Sequence, residues 1–287
     1  VEVLPRESHR RYRDLHRDWD QRVAAAAQDL ARLGPDLVLA DVPYLSLAAA
    51  ARAGVPAAAL CSLNWADLYR AYCAGMPGSE AIHHQAREAY RQAALFLQPR
   101  PHMPMADLER RRSIAPIVRT GIPRREEVRA RLGLPGDHPL VLVGLGGLDL
   151  RLPVESWAPV LEAHWLVPAR WGVRRPDITP LEDLGLPFPE LLASVDLVVT
   201  KPGYGTFAEA AALGLPVLYL ERPDWPESPY LEAWLAAHVP AAALSRSGLA
   251  GGGPAEQAAT MLAMERPEPL SFAGEEEAAE LLLPLFN

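Results

Sequence analysis

Lysine is almost missing from this chain: Lys201 is the only one among 28 lysine and arginine residues. A GC-rich genome produces such an arginine excess without any function. Cysteine is nearly absent too. Cys61 and Cys73 are the only two, which excludes a disulfide framework and a C-x-x-C metal site. No apolar run reaches the length of a membrane span, and no signal peptide opens the chain. The expectation is a cytoplasmic protein with no integral membrane segment, peripheral association being left open. The first residue is Val1 rather than Met. Acidic residues number 36 and the net charge is −8, which argues against bulk nucleic-acid binding. Neither G-x-G-x-x-G nor G-x-x-x-x-G-K-[ST] occurs. With no H-x-x-x-H spacing either, no metal and no cofactor are expected.

What is present is a rhythm. The 287 residues are 49% hydrophobic and 22% charged, the balance of a globular protein with room for one large or two medium domains. Residues 12–33 have a helical pattern that stops at Gly34-Pro35. Short apolar strands follow at 36–41, 55–62 and 94–99, separated by helices at 45–54 and 79–94. Residues 99–124 are rich in Pro and Arg and weakly periodic, as a crossing between domains would be. The alternation then resumes: a helix at 126–134, strands at 139–147, 163–169 and 177–182, and a helix followed by a strand over 188–200. Helices are expected at 228–237, 254–266 and 274–286, with a flexible loop at 248–254. Apolar strands alternating with helices predict an α/β fold with parallel sheets covered on both faces. The expected division is 1–98, a partial Rossmann-like domain; 99–124, the crossing; and 125–287, a complete Rossmann-like domain. The first domain shows about three strands, as if its opening βαβ units stood outside this chain.

Two glycine turns stand at strand ends. One is Gly144-Leu145-Gly146-Gly147; the other is Pro202-Gly203-Tyr204-Gly205. Ligands of open α/β sheets sit at the carboxyl ends of the strands. Glycine there lets a ligand approach the backbone, and helix-start N–H groups favour an anion. A diphosphate suits both loops together, with Lys201 beside them. Taken alone, each turn is equally an ordinary turn. Thr206-Phe-Ala-Glu209 is T-x-x-E at a helix start and matches a capping box. Spacing alone therefore gives Glu209 a structural task, against the other reading in which its carboxylate accepts from ribose hydroxyls. Asp41 follows a strand directly and is the candidate cleft carboxylate, with a turn or N-cap role as the plainer alternative. Asn64, Trp65 and Asp67 follow the strand at 55–62 and could line an acceptor side, although Trp65 equally suits packing. His83 and His84 are expected to be solvated, and His138 to lie in a loop.

The run "DLVVTKPGYGTFAEAAALGLPVLYLER" resembles the donor-binding region of GT-B glycosyltransferases of the MurG-like and UDP-glycosyltransferase groups. "DVPYLSLAAAARAGVPAAALCSLNWADLY", "IAPIVR", "VGLGGLDL" and "VVTKPGYGT" are most similar to the glycosyltransferase-like segment beside arabinokinase-type sugar kinases. The resemblance implies two Rossmann-like domains facing a cleft, and metal-independent transfer of a sugar from a nucleotide donor, UDP by preference, to an unknown acceptor. It places the phosphate cradle on Gly203, Tyr204, Gly205 and Thr206, together with Gly146, Gly147 and Lys201, and the ribose ligand on Glu209. Donor-sugar contacts fall near Asp224, Glu227 and Ser228, where "DWPES" departs from the family's D-Q pair. A catalytic base usually stands in an N-terminal glycine loop; none precedes residue 36. Two other readings share the scaffold: a nucleotide-sugar hydrolase or epimerase, and a non-catalytic nucleotide-sugar-binding protein.

Overall fold

The computed structural model describes residues 3–147, 150–159, 163–249 and 253–286. It divides into two units. One is Val118–Phe272; the other joins the described residues up to Ile117 with those from Ala273 onward.

The helical stretch predicted over 12–33 is two helices, α1 (Pro5–Arg17) and α2 (Trp19–Leu33), broken at Asp18. They precede β1 (Val38–Ala40), α3 (Tyr44–Ala53), β2 (Ala57–Leu60), α4 (Trp65–Cys73), α5 (Ser79–Arg91), β3 (Leu95–Pro99) and β4 (Arg111–Ile114). The four strands form a parallel sheet in sequential order. β4 lies inside the stretch expected to be only a crossing. Its polar sequence, Arg-Arg-Ser-Ile, hides a strand that pairs through the backbone alone.

The second sheet is built from the unit that follows. After α6 (Arg125–Leu132) come β5 (Leu140–Gly144), β6 (His164–Val167), β7 (Ile178–Pro180), α7 (Phe188–Ser194), β8 (Leu197–Thr200), α8 (Tyr204–Ala212), β9 (Val217–Leu220), α9 (Ser228–Ala236), β10 (Ala241–Leu244) and α10 (Gly253–Leu262). Six parallel strands lie in the order β10-β9-β8-β5-β6-β7, which is the Rossmann order. Side chains alternate between two cores. Val141, Val143, Leu197 and Val199 enter one; Leu140, Leu142, Leu166 and Val198 enter the other. Burial of each such aliphatic side chain stabilises by about 1.5–3 kcal/mol, so strands apolar on both sides hold the helices to both faces. β10, Ala-Ala-Ala-Leu, carries too little β-branched character to be recognised from sequence.

α11 (Gly274–Leu282) corrects the expected boundary, which assigned everything from 125 to the second domain. It packs on the first sheet, with Ala278 buried against Leu97 and Ile114. The Ala115 N–H donates to Glu277 Oε2 over 2.9 Å. A side chain on Gly274 would meet the Pro116 carbonyl oxygen at 2.3 Å, so only glycine allows this approach. Of the loop expected at 248–254, residues 250–252 lie outside the described residues, as do Leu148 and Asp149 beyond the first glycine turn; Gly253 and Pro254 already belong to α10.

Candidate nucleotide site

The six-stranded sheet reverses direction at β5. The chain builds through β6 and β7 on one side, then returns to the other side with β8, β9 and β10. Loops leaving β5 and β8 diverge at such a reversal and open a crevice at the strands' carboxyl ends. Gly144 is the register partner of Thr200, so residues 145–147 and 201–203 leave the sheet side by side. Gly146 has φ +59°, the left-handed region that favours glycine. The Phe188 ring lies where a Gly144 side chain would be, 2.6 Å from the position of its Cβ.

A cavity of about 220 Å³ opens here. Gly144, Leu145 and Gly146 form one wall, and Thr206 at the start of α8 another. Pro168 and Arg170 come from the end of β6, Leu181 and Glu182 from the end of β7, and Phe188 from α7. The Glu182 carboxylate accepts the Ala169 N–H over 2.8 Å. Sequence reasoning singled out none of these last five residues. Each nevertheless stands just past a predicted strand or at a helix start, which was the available signal.

The start of α8 removes the capping-box reading. Gly203 is the N-cap, and no side chain caps the helix. Thr206 is the third helical residue rather than the cap, because Pro202 and an extended Gly203 (φ −168°) start the helix early. The N–H groups of this first turn have no carbonyl behind them within the helix. Glu209 lies one turn on, on the face it shares with the cavity-lining Thr206. It is half-buried, and burial pushes its carboxyl pKa up with no charged or hydrogen-bonding partner contributing.

Lys201 bridges the two loops. A Cβ on Gly146 would lie 3.7 Å from its Cε, and one on Gly203 only 2.9 Å from its Nζ. Burial lowers the Lys201 pKa, the positive charge of Arg222 lowers it further, and Glu227 acts in the opposite sense. Beyond β9, Asp224 is exposed, whereas Glu227 and Ser228 are 5% and 2% exposed. Glu227 Oε2 accepts the Trp225 indole N–H over 3.2 Å. Glu227 and Ser228 thus stand in the wall of the unit, and Asp224 stands at its surface.

In the other unit, Asn64 caps α4. Its Oδ1 accepts the Asp67 N–H at 2.7 Å and its Nδ2 donates to Asp67 Oδ2 at 2.8 Å. The acceptor-side expectation for this pair therefore gives way to a local one: both side chains are engaged with each other. Trp65 is 37% exposed, against the packing alternative, and its N–H donates to the Tyr90 hydroxyl. Asp41 is exposed at the end of β1 and caps nothing, since Pro43 is the N-cap of α3 with no side-chain bond. His84 is exposed as expected. His83 is buried, and that burial lowers its pKa; on α5 it faces inward beside Ile82 and Ala86. Among the described residues, no three of His, Cys, Asp or Glu gather as a metal site requires, and no helix is long and apolar enough to cross a membrane.

No protein-family model matches the chain. In sequence it is similar to L-arabinokinase of Arabidopsis thaliana, 25% identical over 210 residues covering 70% of this chain and 19% of that protein. It is similar to the UDP-N-acetylglucosamine–N-acetylmuramyl-(pentapeptide) pyrophosphoryl-undecaprenol N-acetylglucosamine transferase of Thermus thermophilus, 36% identical over 121 residues, covering 38% of this chain and 33% of the transferase. Similarity to the uncharacterized glycosyltransferase MK0977 of Methanopyrus kandleri is 26% over 240 residues, covering 76% of this chain and 66% of that protein. The chain thus spans about a fifth of the length of the arabinokinase and a third of that of the Thermus transferase. Among solved structures it superposes on CalG4, the calicheamicin glycosyltransferase, with TM-score 0.69 at 20% identity, covering 99% of this chain and 82% of that one. The glycosyltransferase VinC, solved in complex with dTDP, gives TM-score 0.54 at 17% identity over 92% of this chain and 70% of its own. The chain has the GT-B glycosyltransferase fold, and its sequence is similar to glycosyltransferases of the MurG type.

Proposed function

We propose that the unit Val118–Phe272 binds a nucleotide sugar at the carboxyl ends of β5 and β8, and that the protein transfers the sugar to an acceptor. One observation carries the reading. At the sheet's reversal point, two glycine loops, an uncapped helix start and the chain's only lysine converge beside a cavity of about 220 Å³. The nucleoside occupies the cavity between Gly146, Pro168 and Phe188, and the diphosphate rests on the loops around Gly146, Gly147 and Gly203 to Thr206.

The chemistry follows from where charge develops. When the bond between sugar and diphosphate breaks, negative charge grows on the departing phosphate oxygen. Preorganised N–H dipoles and a nearby cation stabilise that charge more than the neutral bond they replace. The first turn of α8 supplies the dipoles, and Lys201 supplies the cation without a metal. Glu209, freed from capping, accepts from the ribose hydroxyls. The Thermus transferase bears UDP-N-acetylglucosamine in its name, and VinC was solved with dTDP; both support a nucleoside diphosphate as the leaving group, with UDP first to try.

Calorimetric titration with UDP, GDP and dTDP tests the reading. At least one should bind saturably with one site per chain. Glu209→Ala should weaken it by roughly 10- to 100-fold, the loss of hydrogen bonds to a charged group worth about 1.5–3 kcal/mol. Silence from all three nucleotides would sink the proposal.

A further inference from the structure

Two neighbouring strands bring two cations to one edge of the sheet. β8 and β9 run parallel with Thr200 opposite Tyr219. Lys201 leaves β8 and Arg222 leaves β9 at the same carboxyl end. The Arg222 guanidinium carbon lies 4.3 Å from the centroid of the Trp225 ring. Trp225 is held in turn by the buried Glu227 through the indole N–H. A guanidinium stacked by its face presents its N–H groups along its edge, the geometry that suits phosphate oxygens. One of them, Nε–H, is buried with no hydrogen-bond partner among the described residues. The Ser228 hydroxyl, on the next helix, is likewise buried without a partner. Buried donors left unpaired are costly, and two like charges brought together in a half-buried place repel. An anion between the loops would relieve both.

We infer that Arg222 is a second cation of this site and completes with Lys201 a two-cation clamp for a diphosphate, with Trp225 and Glu227 as positioning residues that orient the guanidinium. The inference rests on the nucleotide-sugar reading for the origin of the diphosphate; the clamp itself would also take inorganic pyrophosphate. It gives Glu227 a task other than touching the donor sugar: fixing the indole on which Arg222 lies.

The test titrates the full chain with UDP, inorganic pyrophosphate and uridine. Arg222→Gln should weaken UDP and pyrophosphate by roughly 10- to 100-fold and leave uridine unchanged. Arg222→Lys, which keeps the charge and loses the fork, should recover part of the loss. Trp225→Phe, which keeps a ring and removes the bond to Glu227, should weaken pyrophosphate by a smaller factor, with thermal unfolding confirming that each variant is folded. A separate readout is the pH profile of Lys201 acylation. Removal of the neighbouring positive charge in Arg222→Gln should move it to higher pH, which a merely structural arginine would not do. If Arg222→Gln binds UDP like the parent, or loses UDP and uridine in equal proportion, the clamp is wrong and the nucleotide reading stands. If the parent binds pyrophosphate but no nucleoside diphosphate, the clamp stands and the nucleotide reading falls. If it binds neither, both fall.

Discussion

Glu209 carries a charge where its surroundings disfavour one. Its folded pKa is raised by burial, so the folded state holds the proton more tightly than the unfolded chain does. The ionised carboxylate therefore costs stability at neutral pH. That cost fades as pH falls through the raised pKa and is gone below the ordinary glutamate value. Glu209→Gln should consequently unfold at higher temperature than the parent at neutral pH, with the advantage shrinking as the solution is acidified. The same variant should bind the nucleotide worse. Thermal melts across acid to neutral pH, alongside titration, check both. A glutamate whose only task was capping would give the opposite sign in the melts. Lys201 is the complementary case: burial and Arg222 lower its pKa, so its amine should be acylated at a lower pH than an ordinary lysine.

At the scale of elements, two polar pairs with the same three-residue spacing exchanged roles between sequence and structure. Thr206-x-x-Glu209 has the letters of a capping box, yet α8 starts two residues before Thr206 and Gly203 is its cap. Asn64-x-x-Asp67 was read as an acceptor surface, yet it is a reciprocal cap for α4. Spacing reports which side chains can meet; it does not report where a helix begins, and that is set here by Pro202 and the extended Gly203. Asn64→Ala should therefore cost about 0.5–2 kcal/mol of stability. Thr206→Ala, at an exposed turn of the cavity, should stay within about 0.5 kcal/mol and weaken the nucleotide instead. Denaturant unfolding and calorimetry separate the two. The glycine loops and the strands that deliver them were legible because apolar runs ending in glycine are local signals. Pro168, Arg170, Leu181, Glu182 and Phe188 come together only through the strand order, which no local pattern encodes.

For the whole molecule, the alternation of strand and helix gave the fold class, and the resemblance of residues 188–232 to a donor-binding region agrees with the similarity to CalG4. Two strands and one boundary escaped. β4 is too polar and β10 too rich in alanine to announce themselves, and α11 returns to the first sheet across nearly the whole sequence. That docking is a long-range contact whose sequence signal is one glycine. Gly274→Val places a side chain 2.3 Å from the Pro116 carbonyl oxygen, and such overpacking should cost about 1–3 kcal/mol. Nucleotide affinity, which belongs to the other unit, should not change, and Asp41→Asn should leave it equally untouched; denaturant unfolding and titration of both variants check this.

The central claim is that a diphosphate group lies between the two glycine loops. Lys201 makes it directly measurable, because the chain has no other lysine side chain and mass spectrometry separates its adduct from that of the N-terminal amine. Acylation of Lys201 should be slowed in proportion to occupancy by a nucleoside diphosphate that binds in the titrations, and left unchanged by the bare nucleoside. A nucleoside diphosphate that binds saturably while Lys201 is acylated at its free rate would contradict the account.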